Sequence, residues 1–194
     1  MNEILLSSQQ MLSMNNNEKK HIIYYTFLRP LEKELKELIK EDKGITLSRT
    51  FEGICSCEEF QFCVSEFAKK QSLVKGLLSS VSYFGENKDI PVFTITSEDI
   101  LKLHKKIMTT LLHAGSPYLG NFLHKGYCDI EFNDTNHKLT ENPYNPHIAL
   151  EKICQEKDII KFEGKEFSCG GIYTRVKRFG IWDEHIQYHS FKSD

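Results

Sequence analysis

Over residues 21–28 the chain reads His-Ile-Ile-Tyr-Tyr-Thr-Phe-Leu, β-branched or aromatic at almost every position and closed by Pro30. A run without polar alternation predicts a strand with apolar groups on both faces. Leu31, Leu35, Leu38 and Ile39 then recur at i, i+4, i+7 and i+8 among Glu and Lys. That spacing puts one apolar stripe on a helix that ends near Gly44. Over 45–51, Ile45 and Leu47 alternate with Thr46 and Ser48. A half-buried strand with this pattern sends both hydroxyls to the same, more polar face. Ser56, followed three residues later by Glu59, is a capping box. It opens a helix whose inner side carries Phe60, Cys63, Val64 and Phe67.

Residues 79–84 and 90–96 pattern as two strands joined across Gly85-Glu-Asn-Lys-Asp, a hairpin. Ser97 caps a third helix, with Ile100, Leu103, Ile107 and Leu111 inward and Glu98 and Asp99 where the helix dipole favours acids. Residues 127–132 and 146–150 follow as short strands, and the polar stretch 133–144 between them is expected to be exposed. The C-terminal part predicts strands at 159–162, 166–169, 172–176 and 186–191, with Gly170-Gly171 as a turn. Residues 1–20 are rich in Ser, Gln and Asn and predict a flexible tail, leaving 21–194 as one domain. The order of strands and helices is approximated twice, which suggests two related halves around one sheet.

Composition narrows the partners. The formal net charge of −2 excludes bulk electrostatic attraction to a polyanion, so such a partner must be held by a local site. No window approaches the roughly 18 apolar residues of a membrane span. Six cysteines without a leader pattern predict reduced thiols inside the cell. Cys55, Cys57 and Cys63 lie close together, but their spacing is not that of a zinc knuckle, and no phosphate-binding glycine loop or nucleophile elbow is present. No metal and no cofactor are therefore expected.

The informative segment is Asn-Pro-Tyr-Asn-Pro-His-Ile-Ala-Leu over 142–150. A histidine opening an apolar strand after a proline-rich loop sits at a sheet end, where its imidazole can face a cleft. Read with Gly-Ile-Thr-Leu-Ser-Arg-Thr-Phe over 44–51, the hairpin, the third helix and the late Phe-Ser-Cys-Gly-Gly over 167–171, the chain resembles the 2H phosphoesterase superfamily, the LigT-like fold. Within it, the likeness is nearest to the phosphodiesterases that trim the 3′ end of U6 small nuclear RNA, over residues 20–180. The fold this implies is α+β and two-lobed, with pseudo-two-fold antiparallel sheets and outer helices around a central cleft.

Two His-x-Thr/Ser tetrapeptides carry the chemistry of that family. One histidine takes the proton of a ribose 2′-hydroxyl, the other protonates the leaving 5′-oxygen, and the hydroxyls hold the phosphate. Here the first motif has Gly44 in place of histidine but keeps Thr46, and the second keeps His147 but has Ala149 in place of the hydroxyl. The resemblance therefore implies His147 as the catalytic residue, with Thr46, Ser48 and Tyr144 as substrate-binding residues. Tyr144 is cast as a ring for a base to stack on. His21, His104, His113, His124, His137, His185 and His189 are the candidates for a second imidazole.

Three functions remain open. One is a degenerate relative that binds RNA with a uridine-rich 3′ end, or a protein partner, with weak or no catalysis. Another is an active RNA 3′–5′ phosphodiesterase using His147 and a second group. The last is a protein-interaction scaffold in RNA processing, contacting its partner through 112–126 or 133–144. Family resemblance implies a nuclear location, and no membrane association is expected.

Overall fold

The structure is a computed structural model, and the residues it describes are 22–52, 56–84, 87, 90–114, 130–133, 136–139, 144–150, 159–178 and 181–192. The tail expected over 1–20 and nearly all of 112–126 lie outside them. The elements in chain order are β1 (Ile22–Leu28), α1 (Lys33–Lys36), β2 (Ile45–Glu52), α2 (Cys57–Ala68), β3 (Val74–Phe84), β4 (Ile90–Thr96) and α3 (Glu98–Ala114). They continue as β5 (Ile130–Asn133), β6 (Asn136–Leu139), β7 (His147–Ala149), β8 (Glu166–Cys169), β9 (Gly171–Arg178), β10 (Ile181–Trp182) and β11 (Gln187–Ser190).

The architecture is α+β, as expected. Nine strands form one antiparallel sheet in the order β10-β9-β1-β2-β7-β4-β3-β8, with β11 also on β9, while β5 and β6 form a separate hairpin. Two halves meet at β2 and β7, which share the single register pair Ile45–Ile148. Strand β8 runs through Gly170 straight into β9, although the two stand far apart in the sheet order. The sheet must therefore curl, and the chain after β1 closes the gap. Leu31 N–H donates to the Ser168 carbonyl at 2.8 Å, and Ser168 N–H donates to the Glu32 carboxylate at 2.9 Å.

Strand alternation sorts the side chains into two faces. Tyr24, Leu28, Ile45, Leu47, Phe93, Ile148, Ile172 and Val176 point to the face covered by α2 and α3 and form the core with Phe60, Val64, Ile100, Leu103 and Ile107. Both long helices form for the expected reasons. The Ser56 hydroxyl accepts from Glu59 N–H at 3.2 Å while the Glu59 carboxylate accepts from Ser56 N–H at 2.8 Å. The Ser97 hydroxyl accepts from Ile100 N–H at 3.1 Å, and the expected stripe of α3 is buried throughout. Among the described residues no helix is long and apolar enough to cross a membrane.

Several elements differ from expectation. The first helix is a single turn: α1 ends at Lys36, and tight bonds from Leu38 N–H to Leu35 O and Ile39 N–H to Lys36 O replace further α-helix. Leu35 and Ile39 still reach the core, whereas Leu31 is 46% exposed because its backbone is drawn to β8. Residues 159–162 begin a turn that buries Ile159 and Phe162, not a strand. The polar stretch 133–144 contains β6. β10, two residues long, was too short to register as a pattern.

On the core side, β9 and β11 meet α2 through a small polar cluster. Thr174 Oγ1 donates to Gln61 Oε1 at 2.6 Å, and His189 Nε2 lies 2.9 Å from the same oxygen. An amide oxygen only accepts, so Nε2 carries the proton. Burial pushes the His189 pKa below its ordinary value. The unfolded chain then binds more protons than the folded one between the lowered value and the ordinary 6.5. Stability is accordingly complete above that range and falls as pH drops through it. Urea unfolding at stepped pH should show this decline, and His189→Gln should flatten it relative to the wild type.

At the start of β2 the backbone passes close beneath the end of β1. A Cβ on Gly44 would collide with the Leu28 carbonyl oxygen and lie 2.8 Å from Phe27 Cδ2. The position takes glycine because of this approach. Gly44→Ala should cost about 1–3 kcal/mol, the usual range for forcing a group into filled space, measured by chemical denaturation.

Candidate functional site

β7 is wedged between β2 and β4. Ile148 anchors it in the core against Ile45 and Phe93, its register partners on either side. With Ile148 turned inward, His147 and Ala149 point to the opposite face. On the β4 side His147 stands opposite Thr94 and Ala149 opposite Val92. Continuing the antiparallel register from Ile45–Ile148 sets Thr46 opposite His147 and Gly44 opposite Ala149. The imidazole thus lies in a row between two threonines, while Gly44 and Ala149 stand across from each other.

His147 is half-buried, and its ring packs against Phe84 at 4.8 Å between centroids. Its Nδ1 lies 3.0 Å from the Asn145 carbonyl oxygen. A carbonyl only accepts, so Nδ1 carries a proton, which in the neutral form of the ring makes Nε2 the acceptor. That is the form a general base needs.

Thr46 and Ser48 do not share a face. Thr26 pairs with Ser48 and Phe27 with Thr46, so Leu47 is an extra residue in β2, a β-bulge. Thr46 Oγ1 is bonded to the Tyr25 hydroxyl at 2.9 Å, and Ser48 Oγ to Thr26 Oγ1 at 2.6 Å. Tyr25 and Thr26 are consecutive in β1 and point to opposite sides. Ser48 is fully buried on the helix side, where its N–H also donates to Thr26 Oγ1 at 2.9 Å. Only Thr46 of the two shares a face with His147. The bulge overrides the simple alternation that placed both hydroxyls together.

Tyr144 is turned to a structural task. Its hydroxyl donates to the Thr46 carbonyl oxygen, and its ring stacks on His104 at 3.8 Å between centroids and 10° between planes. His104 Nδ1 in turn donates to the Leu47 carbonyl oxygen at 2.5 Å. One ring face of Tyr144 is therefore taken by an imidazole and not left for a base. Two successive carbonyls at the bulge receive side-chain donors, which meets the rule that buried backbone acceptors find partners.

Among the described side chains, no other histidine completes a pair beside His147. His104 and His189 are held on the core side by Leu47 O and Gln61, and His185 is exposed beyond β10. His21, His124 and the side chains of His113 and His137 lie outside what the structure describes. Sequence reasoning missed Thr94 and Tyr25. Both follow from strand register, which a single sequence does not display. A cavity of about 350 Å³ lies elsewhere, lined by Glu32, Leu35, Leu78, Phe162 and Lys165 among others, and none of the residues around His147 borders it. Cys57 and Cys63 have thiol pKa values raised by burial, and the described residues contain no cluster able to hold a metal ion.

No protein-family model matches the chain, and no curated protein matches it. Among solved structures it is similar to that of Kluyveromyces marxianus Usb1, with 10% sequence identity over 89% of this chain and 99% of that one and a TM-score of 0.44.

Proposed function

We propose that this chain is a 2H phosphoesterase-like protein that binds RNA through Thr46 and His147 and turns it over weakly or not at all. The observation that carries this reading is the Ile45–Ile148 pair of β2 and β7, whose antiparallel continuation sets Thr46 across from His147 and Gly44 across from Ala149. Half of a two-imidazole site is present, and the other half is missing from both strands together.

Phosphodiester cleavage by the family route moves two protons, one from the 2′-hydroxyl and one to the leaving 5′-oxygen. With no second imidazole beside His147 among the described side chains, one of those transfers is left to water. Losing a general acid or base forfeits about 10²–10⁴ in rate. Phosphate binding needs neither transfer, only donors that match the anionic oxygens: the Thr46 hydroxyl is one, and the protonated form of His147 adds a second at Nε2. The ligand that fits the resemblance is a uridine-rich RNA 3′ end, and a role in nuclear RNA processing follows from the same likeness.

A second reading has its own observation. The proton on Nδ1 of His147 leaves Nε2 ready to accept, which favours an active phosphodiesterase whose second group is not a cross-strand neighbour of His147. One assay separates them: the full chain on a short oligouridylate without added metal, beside His147→Ala, with binding followed at two salt concentrations. We expect binding that weakens with salt and is reduced in the variant, with cleavage at or near background. Cleavage abolished by His147→Ala would instead establish the active enzyme. Neither binding nor cleavage would overturn both and move the function to a protein-interaction scaffold.

A further inference from the structure

Tyr25 lies behind the proposed phosphate site. It sits on the same face as Thr46, one residue along β1 from the strand partners of the bulge, and its ring is fixed from several sides. Phe27 stacks on it at 5.1 Å between centroids, and Trp182 meets it edge-on at 6.3 Å. Arg175, its register partner on β9, is itself held by Asp42 at 2.6 Å. Two aromatic contacts leave the phenol little freedom to swing away. Its hydroxyl lies 2.9 Å from Thr46 Oγ1.

The direction of that hydrogen bond matters. A phenol is the better donor of the two hydroxyls and the poorer acceptor. Burial pushes the Tyr25 pKa up, so the phenol keeps its proton throughout the neutral range. With Tyr25 donating, one lone pair of Thr46 Oγ1 is occupied and the threonine's own proton must point elsewhere. Its backbone carbonyl oxygen already accepts one hydrogen bond, from Tyr144. The remaining direction is the open side of the row, towards the space next to His147.

We propose that Tyr25 is a positioning residue for this site: its phenol donates to Thr46 Oγ1 and turns the threonine proton outward, as a ready donor to an RNA phosphate oxygen beside His147. This inference rests on the reading of Thr46 and His147 as a phosphate site. An unassisted threonine rotates its hydroxyl freely and loses that freedom when it binds, whereas one held in place by Tyr25 has already lost it. Tyr25 never touches the ligand, so its contribution passes wholly through Thr46.

A double-mutant cycle tests that dependence. Affinity for a six-nucleotide oligouridylate is measured by fluorescence anisotropy for the wild type, Tyr25→Phe, Thr46→Val, the double variant and His147→Ala. Tyr25→Phe removes one oxygen and keeps the ring stack, and thermal melting checks that it folds. Loss of one hydrogen bond predicts about three- to tenfold weaker binding for Tyr25→Phe and for Thr46→Val, with the double variant no weaker than Thr46→Val alone. Thr46→Ser, which keeps the acceptor and the proton, should bind like the wild type, and Tyr25→Phe should weaken it as it weakens the wild type. If Tyr25→Phe fails to fold, a loss on Thr46→Val that Thr46→Ser does not share upholds the outward donor, and equal losses overturn it. Equal weakening by Tyr25→Phe with or without Thr46 overturns the proposal, since the effect would then be general. The same holds if Tyr25→Phe binds like the wild type while His147→Ala does not, an outcome that leaves the phosphate site standing. Absence of wild-type binding overturns the phosphate reading itself.

Discussion

A three-residue strand holds the two halves of the sheet together. β7 is only His147–Ala149, yet Ile148 is buried between Ile45 and Phe93 and locks the register on both sides. Because side chains alternate, a slip of one residue would send His147 into the core and Ile148 into solvent. Burying an isoleucine is worth about 1.5–3 kcal/mol, and burying an unpaired imidazole in its place would cost more. The position of His147 beside Thr46 and Thr94 is therefore fixed by the packing of its neighbour.

The same register also brings Gly44 and Ala149 together. Gly44 and Ala149 fall opposite each other, and Gly44 packs against the Leu28 carbonyl so closely that no side chain fits. Thr46 and His147 escape this because they stand one pair further along. The proposed phosphate site is built on that pair.

Local patterns predicted much of the fold. The Ser56–Glu59 capping box, the buried stripe of α3 and the doubly apolar β1 are dictated by residues a few positions apart, and all three stand in the structure. What failed depends on distant partners. The stripe of Leu31, Leu35, Leu38 and Ile39 has helical spacing, but Leu31 is drawn to Ser168, more than a hundred residues away. Thr46 and Ser48 have strand spacing, and only pairing with β1 reveals the extra residue at Leu47 that parts them. His147 was legible because a proline-rich loop and an apolar anchor flank it in sequence. Thr94 and Tyr25 were not, since nothing beside them in the chain marks their place in the row.

The bulge at Leu47 brings these features together. An extra residue breaks the ladder and leaves carbonyls of β2 without strand partners. β7 is too short to supply them, and the donors come from Tyr144 and His104, stacked on each other and bonded to consecutive carbonyls. Tyr144 lies three residues before His147, so the group that caps the bulge also tethers the segment leading into β7. The bulge turns Ser48 into the core, leaves Thr46 on the outer face within reach of Tyr25, and through Tyr144 fixes where His147 begins. Tyr144 thereby sets the geometry of both Thr46 and the start of β7.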